Sequence, residues 1–191
     1  MIRRLKTHSF GEPQPKLQFP TESRCLLLLN ERKEEHKAMD GEGNETEVTV
    51  TSYEYDGTLM NVASATEEAA LQSIKRIALK EIEAYDTSSA VNSFSLQGKQ
   101  MWLPKETRVG LMNSLSIEKA AGKTETVLWF GNESYILPID TAMQMLSALE
   151  LYALDCYNVT AAHKADIEAL TTVEEVVAYD YESDYPEKLN F

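Results

Sequence analysis

Two cysteines, three histidines and six prolines in 191 residues are few, and each scarcity excludes something. Cys25 and Cys156 sit far apart in the chain and read as reduced core thiols, not as a disulfide framework. His8, His36 and His163 show no metal-ligand spacing with one another or with a thiol pair. No P-loop, no G-x-S-x-G elbow and no G-x-G-x-x-G fingerprint occurs, so phosphate cradles and hydrolase nucleophiles of those kinds are absent. No apolar run approaches the ~20 residues needed to span a bilayer. The longest, Cys25-Leu26-Leu27-Leu28-Leu29, is strand-sized. Basic residues number 18 against 31 acidic ones, a net charge of -13, which argues against a nucleic-acid binder. The one basic cluster, Arg3-Arg4-Leu5-Lys6, is followed by polar, proline-containing sequence, so neither a signal peptide nor a membrane partner is expected. Asn44, Asn132 and Asn158 match the glycosylation pattern, which has no meaning without a secretory route.

With 43% hydrophobic and 26% charged residues, the chain has the composition of a globular protein. Residues 1–21 contain Pro13, Pro15, Pro20 and Gly11 and read as an extended arm, with Leu17 and Phe19 its few apolar side chains. A hairpin region is expected over 22–62. Its strands are 24–31 and 47–55, its turn is 40–44, and Asp56-Gly57 closes it. An α+β domain is expected over 63–191. In it a helix over 67–85 starts from a capping box at Ser64 and Glu67, with an apolar stripe including Ala70, Ile74, Ala78 and Ile82. Short antiparallel hairpins turn at Gln97-Gly98 and Gly131-Asn132. Further helices are expected over 105–121, 141–157, 161–170 and 173–179, the last begun by a Thr172/Glu175 capping box. The fold class is therefore α+β: an N-terminal arm and β-hairpin, then helices packed on two short antiparallel hairpins.

His163 falls seven residues after Cys156, so a continuous helix would place them on one face. Asn158-Val159-Thr160 is expected to break the helix between them, leaving a core thiol and a partly exposed imidazole rather than a nucleophile pair. The carboxylate pairs Glu81/Glu83 and Glu174/Glu175 lie on charged helix faces and read as solvated surface. Residues 40–45 lack the downstream glutamate of a calcium loop. Trp102 and Trp129, each beside apolar neighbours on a hairpin strand, read as core anchors. The acidic tail carries Tyr179, Tyr181, Tyr185 and Phe191. These either staple it to its own domain or dock it on a partner.

The blocks Leu128-Trp129, Leu149-Glu150-Leu151-Tyr152-Ala153, Tyr179-Asp180 and Tyr185-Pro186-Glu187-Lys188-Leu189 share an order and spacing, together with Trp102-Leu103 and Thr107-Arg108. Over residues 79–191 the chain thereby resembles a phage and prophage family of unknown function, frequent in gut Bacteroidetes and often encoded close to tail genes. Where relatives more often carry Gly-Tyr, this chain has Asp184-Tyr185, which puts a glycine-dependent turn in doubt. The resemblance implies a context and no catalytic residues. It implies a structural or interaction component of a virion, tail or tail-fibre associated, acting as an adaptor or assembly accessory. Alternatives are a head-surface protein and a tail-borne glycan or cell-wall hydrolase. Other virion proteins and further copies of the chain are the expected partners, in the virion and, during assembly, the host cytoplasm. No catalytic, metal or cofactor residue is expected. The interaction candidates are Leu17, Phe19, Tyr181, Tyr185 and Phe191.

Overall fold

The computed structural model describes residues 5–39, 41 and 45–191. The expected turn at 40–44 lies outside the described residues except for Gly41, as do Arg3 and Arg4. The fold is α+β, with a four-stranded antiparallel sheet, two separate two-stranded hairpins and four helices among the described residues. Two compact units divide it. The first holds Met1–Glu81 and Asp166–Asp180, the second Ile82–Ala165 and Tyr181–Phe191.

The first unit is built on the sheet β1 (Lys6–Phe10), β2 (Leu17–Thr21), β3 (Arg24–Met39) and β4 (Glu45–Asn61), in the order β1-β4-β3-β2. The extended arm expected over 1–21 lies, within its described residues 5–21, in the chain's own sheet. β1 pairs with β4 from Lys6↔Gly57 to Phe10↔Tyr53, and Leu17 pairs with Leu27, so Leu17 and Phe19 are half-buried in the chain's own sheet. The prolines fall between or at the ends of the paired stretches, where a missing N–H does not break the ladder. Asp56-Gly57 does not close the hairpin but runs on within β4, opposite Leu29 and Leu28. A Cβ on Gly57 would lie 2.7 Å from the Leu27 carbonyl oxygen and 2.7 Å from Leu28 Cδ2, so only glycine fits between the neighbouring strands. The same unit includes most of α1 (Glu67–Asp86) and all of α4 (Val173–Ala178). The cap of α1 is Thr66, whose Oγ1 accepts from the Ala69 N–H at 3.2 Å, rather than the expected Ser64. The Thr172/Glu175 capping box of α4 is formed in both directions.

The second unit contains the hairpins β5 (Phe94–Leu96) with β6 (Lys99–Met101) and β7 (Glu125–Phe130) with β8 (Glu133–Pro138). Around them lie α2 (Lys105–Ala120) and most of α3 (Ile139–Ala169). Gln97 (φ 50°) and Gly98 (φ 80°) form the two-residue loop of the first hairpin, as the sequence indicated. α2 ends in a Schellman arrangement: Gly122 at φ 81° donates to the Lys119 carbonyl and Lys123 to that of Glu118. The core joins Phe94, Leu115, Leu128, Ile139, Leu146 and Leu149 from these elements.

Two expectations fail in this unit for identifiable reasons. α3 does not break at 158–160. Asn, Val and Thr lose only a few tenths of a kcal/mol each as helix formers, whereas Tyr152, Cys156, Thr160, His163 and Ile167 fall on one buried stripe at helical spacing. Trp129 is 67% exposed, because strand alternation turns Leu128 inward and its neighbour out.

Candidate functional site

Among the described residues no group of three or more histidine, cysteine or carboxylate side chains is placed to hold a metal ion. The continuous helix puts Cys156 and His163 on one buried face but does not join them, since seven residues of helix advance about 10 Å. Burial raises the pKa of the Cys156 thiol, which disfavours the thiolate a nucleophile needs. His163 is buried, not partly exposed as expected, and its Nε2–H donates to the Ser183 carbonyl at 3.1 Å. Thr160 Oγ1 lies 2.8 Å from both Asp86 Oδ1 and Tyr185 Oη. This polar cluster holds the tail in place.

The tail itself resolves toward the internal staple. Tyr181 is 2% exposed and packs edge-on against Tyr85, as does Tyr185 at 5.4 Å between ring centroids. Phe191 meets Phe94 edge-on at 5.9 Å. Ser95 N–H donates to the Leu189 carbonyl and Phe191 N–H returns to that of Ser95, so the terminus adds a short parallel bridge beside β5. Tyr181, Tyr185 and Phe191 thus make ring contacts within their own unit, with Phe191 still 38% exposed. Asp184 takes φ 64°, so the left-handed turn exists without glycine, as Asp tolerates better than most residues.

The first unit carries a cleft of about 490 Å³ that sequence reasoning missed. Its origin is a bulge in β3: Leu29 pairs with Asp56 and Arg32 with Glu54, so Asn30 and Glu31 together oppose Tyr55. Asn30 has φ 52°, the left-handed backbone of a G1-type bulge, held here by asparagine in place of the usual glycine. The bulge is tied down by Asp56, which accepts from Asn30 Nδ2 at 2.9 Å and from the Arg32 guanidinium at 2.9 and 3.0 Å. Those bonds, Arg32 first, hold the Asp56 carboxyl below its usual pKa. On the cleft floor, Tyr55 donates to Glu31 Oε2 at 2.5 Å and accepts from the Gln14 N–H at 2.8 Å. At its wall, Lys16 pairs with Glu174 and lowers that carboxyl's pKa. Glu174 is therefore held ionised, opposite to the raised, protonated carboxyl that a glycosidase needs as its acid. Its neighbour Glu175 is occupied by the capping box, and Glu83 pairs with Lys164 at 3.1 Å. Glu83, Glu174 and Glu175 are thus engaged in structural contacts, whereas Glu81, expected on the solvated surface, is buried at 9% exposure. An asparagine between the leucine run and the charged run was the one sequence signal for the bulge.

In the second unit Arg108 is 5% exposed. Its Nε donates to Glu150 Oε2 at 2.8 Å, its Nη1 to the Leu103 carbonyl at 2.6 Å, and its guanidinium lies over Trp102 at 5.2 Å. These contacts pin α2 to α3, and Arg108 and Glu150 also line a cleft of about 410 Å³ with Val109, Met112 and Leu146. The opposite situation holds on the open face of the β7–β8 hairpin. There Val127 (54% exposed) sits directly across from Ile136 (70%), with Trp129 next along the same face. An apolar face with an exposed tryptophan is the surface chemistry of a protein interface. No protein-family model, no curated protein and no solved structure matches this chain.

Proposed function

We propose that this chain is a binding component, most consistent with a structural or assembly role in a phage virion near the tail. The observation that carries the binding role is the open face of Val127, Trp129 and Ile136 on the β7–β8 hairpin. Covering three such side chains recovers several kcal/mol at about 25 cal/mol per Å², and a central tryptophan is the residue type that dominates interface energetics. The virion context comes from the resemblance over residues 79–191 and from nothing else. The acidic charge of -13 supports protein partners over nucleic acid.

Replacing Trp129 and Ile136 with alanine tests the role. Both side chains point away from the core, so the variant is expected to unfold within about 0.5 kcal/mol of the parent while its incorporation into purified particles is lost. Normal incorporation of a folded Trp129→Ala, Ile136→Ala variant would refute it.

A further inference from the structure

The cleft of the first unit joins an apolar wall to a carboxylate that has no cation. Strand alternation would send residues 28 and 31 of a regular strand to opposite faces. The extra residue of the bulge resets that phase, so Leu28 and Glu31 both line the cleft together with Tyr55. Leu28, Tyr55 and Val177 are buried, and Ala178 completes the apolar wall. A volume of about 490 Å³ falls within the range of about 300–1,000 Å³ that small-molecule sites occupy. The donors on the lining have partners within the fold. The Gln14 N–H donates to Tyr55 Oη, the Tyr55 O–H to Glu31 Oε2, Asn30 Nδ2 to Asp56, and Lys16 Nζ to Glu174. Glu31 differs from these. Its Oε1 accepts no hydrogen bond, and no Lys, Arg or His among the described residues pairs with it. Nor does it swing freely like an ordinary surface carboxylate, because the phenol that holds it at 2.5 Å belongs to a residue only 3% exposed.

We propose that this cleft binds a small organic cation, an ammonium or guanidinium on a short apolar body, with its charge on Glu31 and its body against Leu28, Val177 and Ala178. The inventory of the lining selects that chemistry. A fixed acceptor without a cation calls for a ligand that brings N–H donors and positive charge, which form the stronger, charge-assisted bonds. An anion is disfavoured, since the lysine of the lining is already neutralised by Glu174 and Glu31 would repel it. A net charge of -13 raises the local concentration of cations. An extended peptide is disfavoured as well, because it would need main-chain partners. The Gln14 N–H is taken by Tyr55 Oη and the Leu28 N–H by the Lys16 carbonyl. The apolar wall supplies affinity by burial, and Glu31 supplies orientation and choice of head group.

This site lies in the first unit and shares no residue with the β7–β8 face, so it goes beyond the binding role proposed above and stands or falls apart from it. Hexylammonium chloride, sodium hexanoate and hexanol carry one apolar body and differ in head group. Each is titrated into the isotope-labelled full chain near neutral pH at fixed ionic strength, and backbone amide signals are followed by NMR. Hexylammonium is expected to shift the signals of Gln14, Asn30 and Glu31 saturably and to bind at least about tenfold more tightly than hexanol, roughly the worth of one charge-assisted hydrogen bond. Hexanoate should bind more weakly still. Glu31→Gln keeps an oxygen for the Tyr55 O–H, so the fold is retained while hexylammonium falls to the level of hexanol. Ala178→Leu, at an exposed helix position, fills the apolar wall and should weaken hexylammonium and hexanol alike; it decides the matter if the Glu31 variant does not fold. Hexanoate or hexanol binding as tightly as hexylammonium, undiminished binding by either folded variant, or shifts confined to other residues would overturn the proposal. So would a capped lysine tripeptide that binds more tightly than hexylammonium, which would assign the cleft to a partner protein's side chain.

Discussion

Gly57 shows how one residue fixes the arrangement around it. Its missing Cβ lets β1 and β3 close on β4, and a methyl there would meet a backbone oxygen that has nowhere to go. Gly57→Ala is expected to destabilise the protein by about 2–3 kcal/mol as an overpacking defect, read as a lower urea midpoint with an unchanged slope. A loss below about 0.5 kcal/mol would show that the strands are not this close. The sequence displayed Asp56-Gly57 and turn chemistry was the natural inference, because turn propensity is local and the close approach is made by distant residues. Trp129 misleads in the same manner. Its neighbours are apolar, but only the strand's phase, set by Leu128 and Tyr135 turning inward, decides which of them is buried. Asn30 and Asp184 each hold a left-handed backbone that composition alone does not reveal.

Elements with strong periodicity or explicit termini were legible: α1, the two short hairpins, α2 with its glycine stop, and the α4 capping box all stand close to their expected places. What escaped was whatever long-range pairing supplies. Strand β3 runs through the charged residues 31–37 because β4 lies alongside, and no hydrophobic alternation is needed where neither face is buried. α3 continues through 158–160 because burial of Cys156, Thr160 and His163 outweighs weak helix formers. The tail is ordered because β5 and Tyr85 receive it. Its role is testable by truncation. Buried Tyr181 contributes about 1.5–3 kcal/mol and the partly buried Tyr185 and Leu189 about half that each, so removing 181–191 withdraws about 3–6 kcal/mol, a large share of the stability of a domain at about 5–15 kcal/mol. Deletion is expected to abolish cooperative unfolding of the second unit, seen as loss of near-ultraviolet circular dichroism. An unchanged melting transition would mean that the tail is only laid on the surface.

For the whole molecule, buried acids set the pH limits of stability. Burial raises the pKa values of the Cys25 and Cys156 thiols and of the Tyr152 and Tyr185 phenols. In the unfolded chain these groups ionise near about 8.5 and about 10. Above those values the unfolded state holds fewer protons than the native one, and stability falls as pH rises. Urea midpoints are expected to be level from about pH 6 to 8 and to decline above about pH 9. A midpoint that held or rose at pH 10 would contradict the burial of these groups. On the acid side the shifts run the other way: Asp56, Glu133, Glu174 and Glu175 are all lowered by their partners, and the stability they confer is lost as pH falls below the ordinary carboxylate range. A molecule so arranged offers partners an apolar hairpin face on an acidic surface. Its proposed work is therefore association within a particle. The most direct measurement is quantitative mass spectrometry of particles purified from a phage that encodes this chain, through successive density gradients. The expected result is retention at a constant copy number relative to the tail proteins. A chain that washes out of infectious particles, with no fixed stoichiometry at any stage of assembly, would contradict the account.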